Sequence, residues 1–172
     1  MGDSAMTIVA IFLAAILMFV FPLMTMADKD DDVSTLSIQT TTTEFVDNVR
    51  TTGKITQDDY DNLVLTLAAT GNTYDVEITV QVLDENPSKK STSSTQTIGD
   101  NVYYTMYTTQ VLDDIEDDGV LTLKEGDIVA VNVENTNTTI AQQLRNFLYS
   151  VLGYDSSTIT ASASGIVTAS GS

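Results

Sequence analysis

The chain has 172 residues, 24 acids against 7 bases and a formal net charge of −17, and it contains no Cys, His or Trp. That length suits one ordinary domain plus an appendage. The composition excludes disulfides, thiolate or imidazole metal sites, a Cys nucleophile and a Ser-His-Asp triad. It also argues against nucleic acid or an anionic membrane surface as partner, since the longest basic run is Lys89-Lys90.

From Ala5 to Ala27 no residue is charged, and Thr7 and Thr25 are the only polar ones. As a helix this run spans about 34 Å, enough for a hydrocarbon core of about 30 Å. A cleavable secretory signal fits poorly, because Met1–Ser4 is acidic and the apolar core is too long. With no Lys or Arg ahead of the helix, nothing holds that end in the cytoplasm by charge. The expectation is that a basic leader once preceded Met1. Ala10, Ala14 and Ala15 lie at close helical spacing and permit close helix packing. Pro22 predicts a kink or local melting near Met18–Pro22.

The cluster Asp28–Asp32 ends the run, with Lys29 inside it. Residues 1–33 therefore read as a hydrophobic unit and 34–172 as a polar, acidic head. Ile38, Thr42, Phe45 and Val49 recur at helical spacing, predicting a helix from about Ser34 to Thr51 that continues the first as a long bent rod. The four consecutive Thr at 40–43 disfavour it, and Gly53 is its stop. A second helix follows, with Thr56 as N-cap, Asp58 and Asp59 in its first turn, Tyr60, Leu63, Val64 and Leu67 on one face, and Gly71 closing it.

Val76, Ile78, Val80 and Val82 alternate with Asp75, Glu77, Thr79 and Gln81, as in a half-buried antiparallel strand. Residues 84–101 read as a long polar loop. Residues 102–111 predict a strand that turns helical near Thr109–Ile115. Residues 119–135 predict a hairpin or one bent strand around the turn Glu125-Gly126-Asp127. Ile140, Leu144, Phe147, Leu148 and Val151 form the stripe of a helix within 136–153, ending at Gly153. Residues 157–170 close the chain as a strand of small residues. The fold class expected is α+β: a long N-terminal hydrophobic helix, then an antiparallel sheet head packed with helices.

Two stretches suggest sites. Asp114, Glu116 and Asp118 stand at positions one, three and five of a twelve-residue calcium loop. Gly119 is at six, the Val120 carbonyl at seven, Thr122 at nine and Glu125 at twelve. The competing reading is an acidic turn between a helix and a strand. Asn137-Thr138-Thr139 is an N-glycosylation sequon. Paired acids such as Asp58-Asp59 sit on helix starts and turns rather than across a cleft. No catalytic activity and no cofactor beyond Ca2+ are expected.

The N-terminal hydrophobic helix, the acid at Asp3, the proline at Pro22 and the polar β-rich head together resemble the type IV pilin superfamily. That group includes pilins, pseudopilins, Tad-type pilins and archaeal pilins, although the usual Phe-Thr-Leu-Ile-Glu start is absent here. The resemblance implies that a peptidase removes a short basic leader. It implies that Asp3 stands where the family has a Glu whose carboxylate pairs with a neighbour's N-terminal amine, and that Pro22 matches a helix-melting proline. The function it implies is the subunit of an extracellular filament, a helical homo-oligomer inserted in the membrane before assembly, with Asp3, Ala10, Ala14 and Pro22 in the packed core. The alternatives are a monomeric membrane-anchored surface domain that binds calcium, and a pseudopilin of a secretion or DNA-uptake machine.

Overall fold

The first helix, α1, runs without interruption from Gly2 to Thr52. It is seen in a computed structural model that describes residues 2–83, 103–138, 143, 146 and 159–171. In α1, the side chains of residues 2, 3, 24, 27, 28 and 30 fall outside that description. The expected long rod is therefore present, but the expected melting at Pro22 is not: the helix continues through it. Proline removes one i→i−4 bond, while the turns on either side keep theirs and hold the helix cooperatively. The threonines that disfavour helix are accommodated by bonding back to the preceding turn. Thr40, Thr42 and Thr43 donate their hydroxyls to the carbonyls of Leu36, Ile38 and Gln39 at 2.8, 2.7 and 2.7 Å.

The two halves of α1 differ in what covers them. Over Ser4–Leu23 the mean hydropathy is 2.7 and none of that stretch is buried. Beyond the acidic cluster, Val33 and Leu36 remain exposed, and burial begins at Ile38. Ile38, Thr42, Phe45 and Val49, the stripe read from the sequence, are all buried, joined by Val46.

That stripe packs on a four-stranded antiparallel sheet of order β3-β2-β5-β6. Its strands are β2 (Tyr74–Leu83), β3 (Tyr103–Tyr107), β5 (Ile128–Asn135) and β6 (Thr160–Ile166). The register stacks Val76, Val133 and Ala161 in one row, Ile78, Val131 and Ala163 in the next, and Val80, Val129 and Gly165 in the third. The valine and isoleucine rows end in small residues on β6, which is where α1 lies closest. A Cβ on Gly165 would run into the Arg50 side chain, whose Nε donates to the Ile166 carbonyl at 3.0 Å.

The remaining elements close the core at its other end. Strand β1 (Lys54–Thr56) pairs antiparallel with β4 (Val120–Thr122) in a separate two-stranded sheet. Between β1 and β2 lies α2 (Gln57–Ala68), and between β3 and β4 lies α3 (Thr108–Asp118). Helix α2 starts as its sequence suggests: the Thr56 hydroxyl accepts from the Asp59 N–H, and the Asp59 carboxylate accepts from the Thr56 N–H, a reciprocal capping box. Thr56→Ala is expected to lower head stability by about 1 kcal/mol in chemical denaturation. Leu63 and Leu67 of α2 are buried, Tyr60 is half-buried and Val64 faces out.

Residues 119–135 are neither a hairpin nor one bent strand. Strand β4 belongs to the small sheet and β5 to the large one. The turn between them is the expected one: Gly126 has φ +99 and the Asp127 N–H donates to the Lys124 carbonyl at 3.1 Å. Strand β1 was not legible in the sequence. The polar loop 84–101 and most of the helix expected within 136–153 lie outside the described residues.

Candidate functional site

The residues expected to form a calcium loop are not brought together. Asp114, Glu116 and Asp118 sit on the last turns of α3, which runs through Asp118. A helix turns about 100° per residue, so Glu116 points away from Asp114 and Asp118. Gly119, with φ +76, ends the helix, and its N–H donates to the Ile115 carbonyl at 2.8 Å. Val120 and Thr122 then enter β4 and pair with Thr56 and Lys54. Glu125 follows β4, and its N–H donates to Ser170 Oγ at 3.3 Å. A calcium loop wraps its backbone around the ion, and a helix followed by a strand does not. Among the described residues, no group of three or more His, Cys, Asp or Glu side chains is placed to hold a metal ion. The residues of the spacing match lie on a helix end and on the strand and turn that follow it.

Asn137 of the sequon is half-buried and built into a corner. Its Oδ1 accepts from the Thr73 N–H at 2.8 Å, and its Nδ2 donates to Asn72 Oδ1 at 3.3 Å. The nitrogen that a glycan would use is thus turned towards the chain in the folded head. Thr139, the third member of the sequon, lies outside the described residues.

The residues expected to serve assembly present a different picture. Asp3 lies in the first turn of α1. Ala10, Ala14 and Pro22 are exposed on the bare half of the helix, with Ala10 and Ala14 one turn apart on one face. Around them Phe12, Phe19 and Phe21 are 68, 72 and 62% exposed. Among the described residues of the head, the exposed large apolar side chains are scattered. This bare helix is the surface that most requires a partner. By length and composition it is able to cross a membrane.

Two polar features were missed by the sequence reading. The Asp127 side chain is buried inside the Glu-Gly-Asp turn, and its two oxygens accept from the N–H groups of Leu83 and Lys124, each at 2.8 Å. It ties the end of β2 to the β4–β5 turn. The C-terminal tail caps α1: the Thr168 N–H and hydroxyl both donate to the Arg50 carbonyl, at 2.8 and 3.0 Å. Last-turn carbonyls need such partners, but nothing local in either segment announces one. On α2, the Tyr60 phenol is raised above its ordinary pKa, first by burial and then by the charges of Asp61 and Asp75.

The arrangement is thus an exposed apolar helix carried by a sheet head, an architecture that fits a pilin. No protein-family model matches the chain, and neither the curated proteins nor the solved structures contain a match.

Proposed function

We propose that the chain is the structural subunit of an extracellular pilus-like filament, held together by copies of α1. The observation that supports this most is the continuity of α1: one helix is bare and apolar over Ser4–Leu23 and buried in the head from Ile38 onwards. A continuous helix of this kind constrains where each head sits once the bare halves pack together. The bare half is covered by lipid before assembly and by neighbouring helices afterwards. Burial is worth about 25 cal/mol per Å2 of apolar surface in either setting. The two states are then close in energy, and an assembly motor is able to draw the subunit from one to the other. Head-to-tail contacts that do not close on themselves generate a helical polymer.

In this reading the small residues Ala10 and Ala14 permit close approach of neighbouring helices. The acid at position 3 pairs with a neighbour's N-terminal amine, since an unpaired carboxylate in an apolar core is strongly disfavoured. Asp3→Ala is expected to reduce the chain recovered in fibres sheared from cells at least about tenfold, equivalent to about 1.4 kcal/mol. The same variant should leave the melting temperature of the head unchanged. Recovery of Asp3→Ala in fibres at the parent level would remove this role.

The second reading, a monomeric anchored surface domain, shares the membrane helix. It assigns no role to Ala10, Ala14 or Asp3 and expects the chain to remain in the membrane fraction after shearing.

A further inference from the structure

The large sheet has two edges, and the fold treats them differently. On β6 the outward-facing main-chain groups belong to Ser162, Ser164 and Ile166, because Ala161, Ala163 and Gly165 exchange hydrogen bonds with β5. Two of those outward carbonyls are already occupied by side chains of α1. Gln39 Nε2 donates to Ser162 at 3.2 Å and Arg50 Nε to Ile166 at 3.0 Å. An edge covered in this way discourages further strands.

The β3 edge has no such cover among the described residues. The Thr108 hydroxyl accepts from the Ile78 N–H at 2.8 Å and donates to the Ile78 carbonyl at 3.2 Å, and the Tyr107 N–H is taken by Gln110 Oε1 at 3.0 Å. These contacts fix the alternation: Tyr104 and Met106 turn their main chain towards β2, and Thr105 turns its N–H and carbonyl outwards. No described residue bonds those two groups. The strand itself, Tyr-Tyr-Thr-Met-Tyr, carries neither a charge nor a proline, the usual protections of an edge.

Beside this edge lies a groove of about 700 Å3 between β3 and α3. Val82, Met106, Leu121 and Leu123 give it an apolar wall, and its charged lining is Asp113 and Asp114 of α3 with Asp127 and Lys124, three acids to one base. Neither the Asp113 nor the Asp114 carboxylate has a hydrogen-bond or ion-pair partner among the described residues. We propose that the β3 edge and this groove receive an extended segment of a different protein, apolar at alternate positions and bearing Lys or Arg. The segment adds a strand to β3 through Thr105. Its groove-side residues cover the apolar wall, and its cations meet Asp113 and Asp114. A second copy of this chain is the poorer occupant. It carries a net charge of −17, and the single cation on its described strands is Lys54, on a strand already paired with β4.

The test uses the full chain in detergent micelles and a synthetic peptide of alternating Lys and Val, with an alternating Asp and Val peptide as control. Site-resolved amide exchange and titration are the readouts. The Lys peptide is expected to slow exchange at the Thr105 amide at least about tenfold, and the Asp peptide to leave it unchanged. Thr105→Pro removes only an outward N–H, a change an edge strand tolerates, and is expected to abolish binding. The double variant Asp113→Lys, Asp114→Lys, at an exposed and a half-buried position of α3, is expected to weaken binding at least about tenfold. The proposal is overturned if the Thr105 amide is already protected in the free chain, or if the peptide has no effect at millimolar concentration. Binding that survives both variants would reduce it to diffuse charge attraction and overturn it. Protection that grows with the concentration of the chain itself would place a second copy in the groove instead.

Discussion

Gly53→Val is expected to prevent the head from folding. Gly53 follows the last residue of α1 with φ +66, a conformation that disfavours any side chain by about 1–2 kcal/mol. Its N–H donates to the Val49 carbonyl and its own carbonyl accepts from the Leu123 N–H, both at 2.8 Å. Gly171 then bonds the Leu123 carbonyl at 2.9 Å. Three segments distant in sequence thus cross at Gly53: the end of α1, the segment after β4 and the C-terminal tail. A Cβ there would collide with the Ala169 carbonyl oxygen and the Gly171 nitrogen, main-chain atoms that cannot swing aside as a side chain can. The loss should exceed about 4 kcal/mol, the range reserved for backbone strain combined with a packing clash. Circular dichroism should show reduced helicity, with the apolar half of α1 the main remainder, and no cooperative melt. Gly71→Ala is the control. Gly71 has φ +81 but open space around its Cβ position, so it should lose only about 1–2 kcal/mol.

Asp127→Ala is the second large effect. The carboxylate is 1% exposed and receives two main-chain N–H groups, from Leu83 and Lys124. Alanine would leave both donors without the acceptors that tie the end of β2 to the β4–β5 turn. Each unsatisfied buried group costs about 1–3 kcal/mol, so a loss of roughly 3–5 kcal/mol is expected in urea denaturation. Asp127→Asn keeps the shape but offers one oxygen for two donors, and should lose about half as much. An alanine variant as stable as the parent would show that this bridge is dispensable.

The contrast between these residues and the rest shows what a sequence reading reaches. The stripe Ile38, Thr42, Phe45 and Val49, the Thr56 cap and the alternation of β2 are local patterns, and each appears in the fold where it was expected. The Leu83–Asp127 bridge spans 44 positions, and the contact of Gly53 with the tail spans more. No local periodicity encodes a partner at such a distance. The split of β4 and β5 between two sheets is of the same kind, because β4 is claimed by β1, a three-residue strand too short to carry a pattern. The calcium spacing shows a different limit: ligand spacing is blind to backbone conformation, and the acids Asp114, Glu116 and Asp118 sit here on a helix. At Pro22 the cooperativity of a 51-residue helix outweighs local melting.

The bare half of α1 was the most legible feature of the chain, since its length and purity are visible in the residues themselves. Its role depends on what covers Ile8, Phe12, Ile16, Phe19 and Leu23, all of them more than half exposed in the single chain. Electron cryo-microscopy of material sheared from cells that produce the full chain addresses this most directly. The expected result is uniform fibres, with the Ser4–Leu23 segments packed against one another along the axis and the sheet heads outside. Fibre-free sheared material, with the chain retained as a monomer in the membrane fraction, would contradict it.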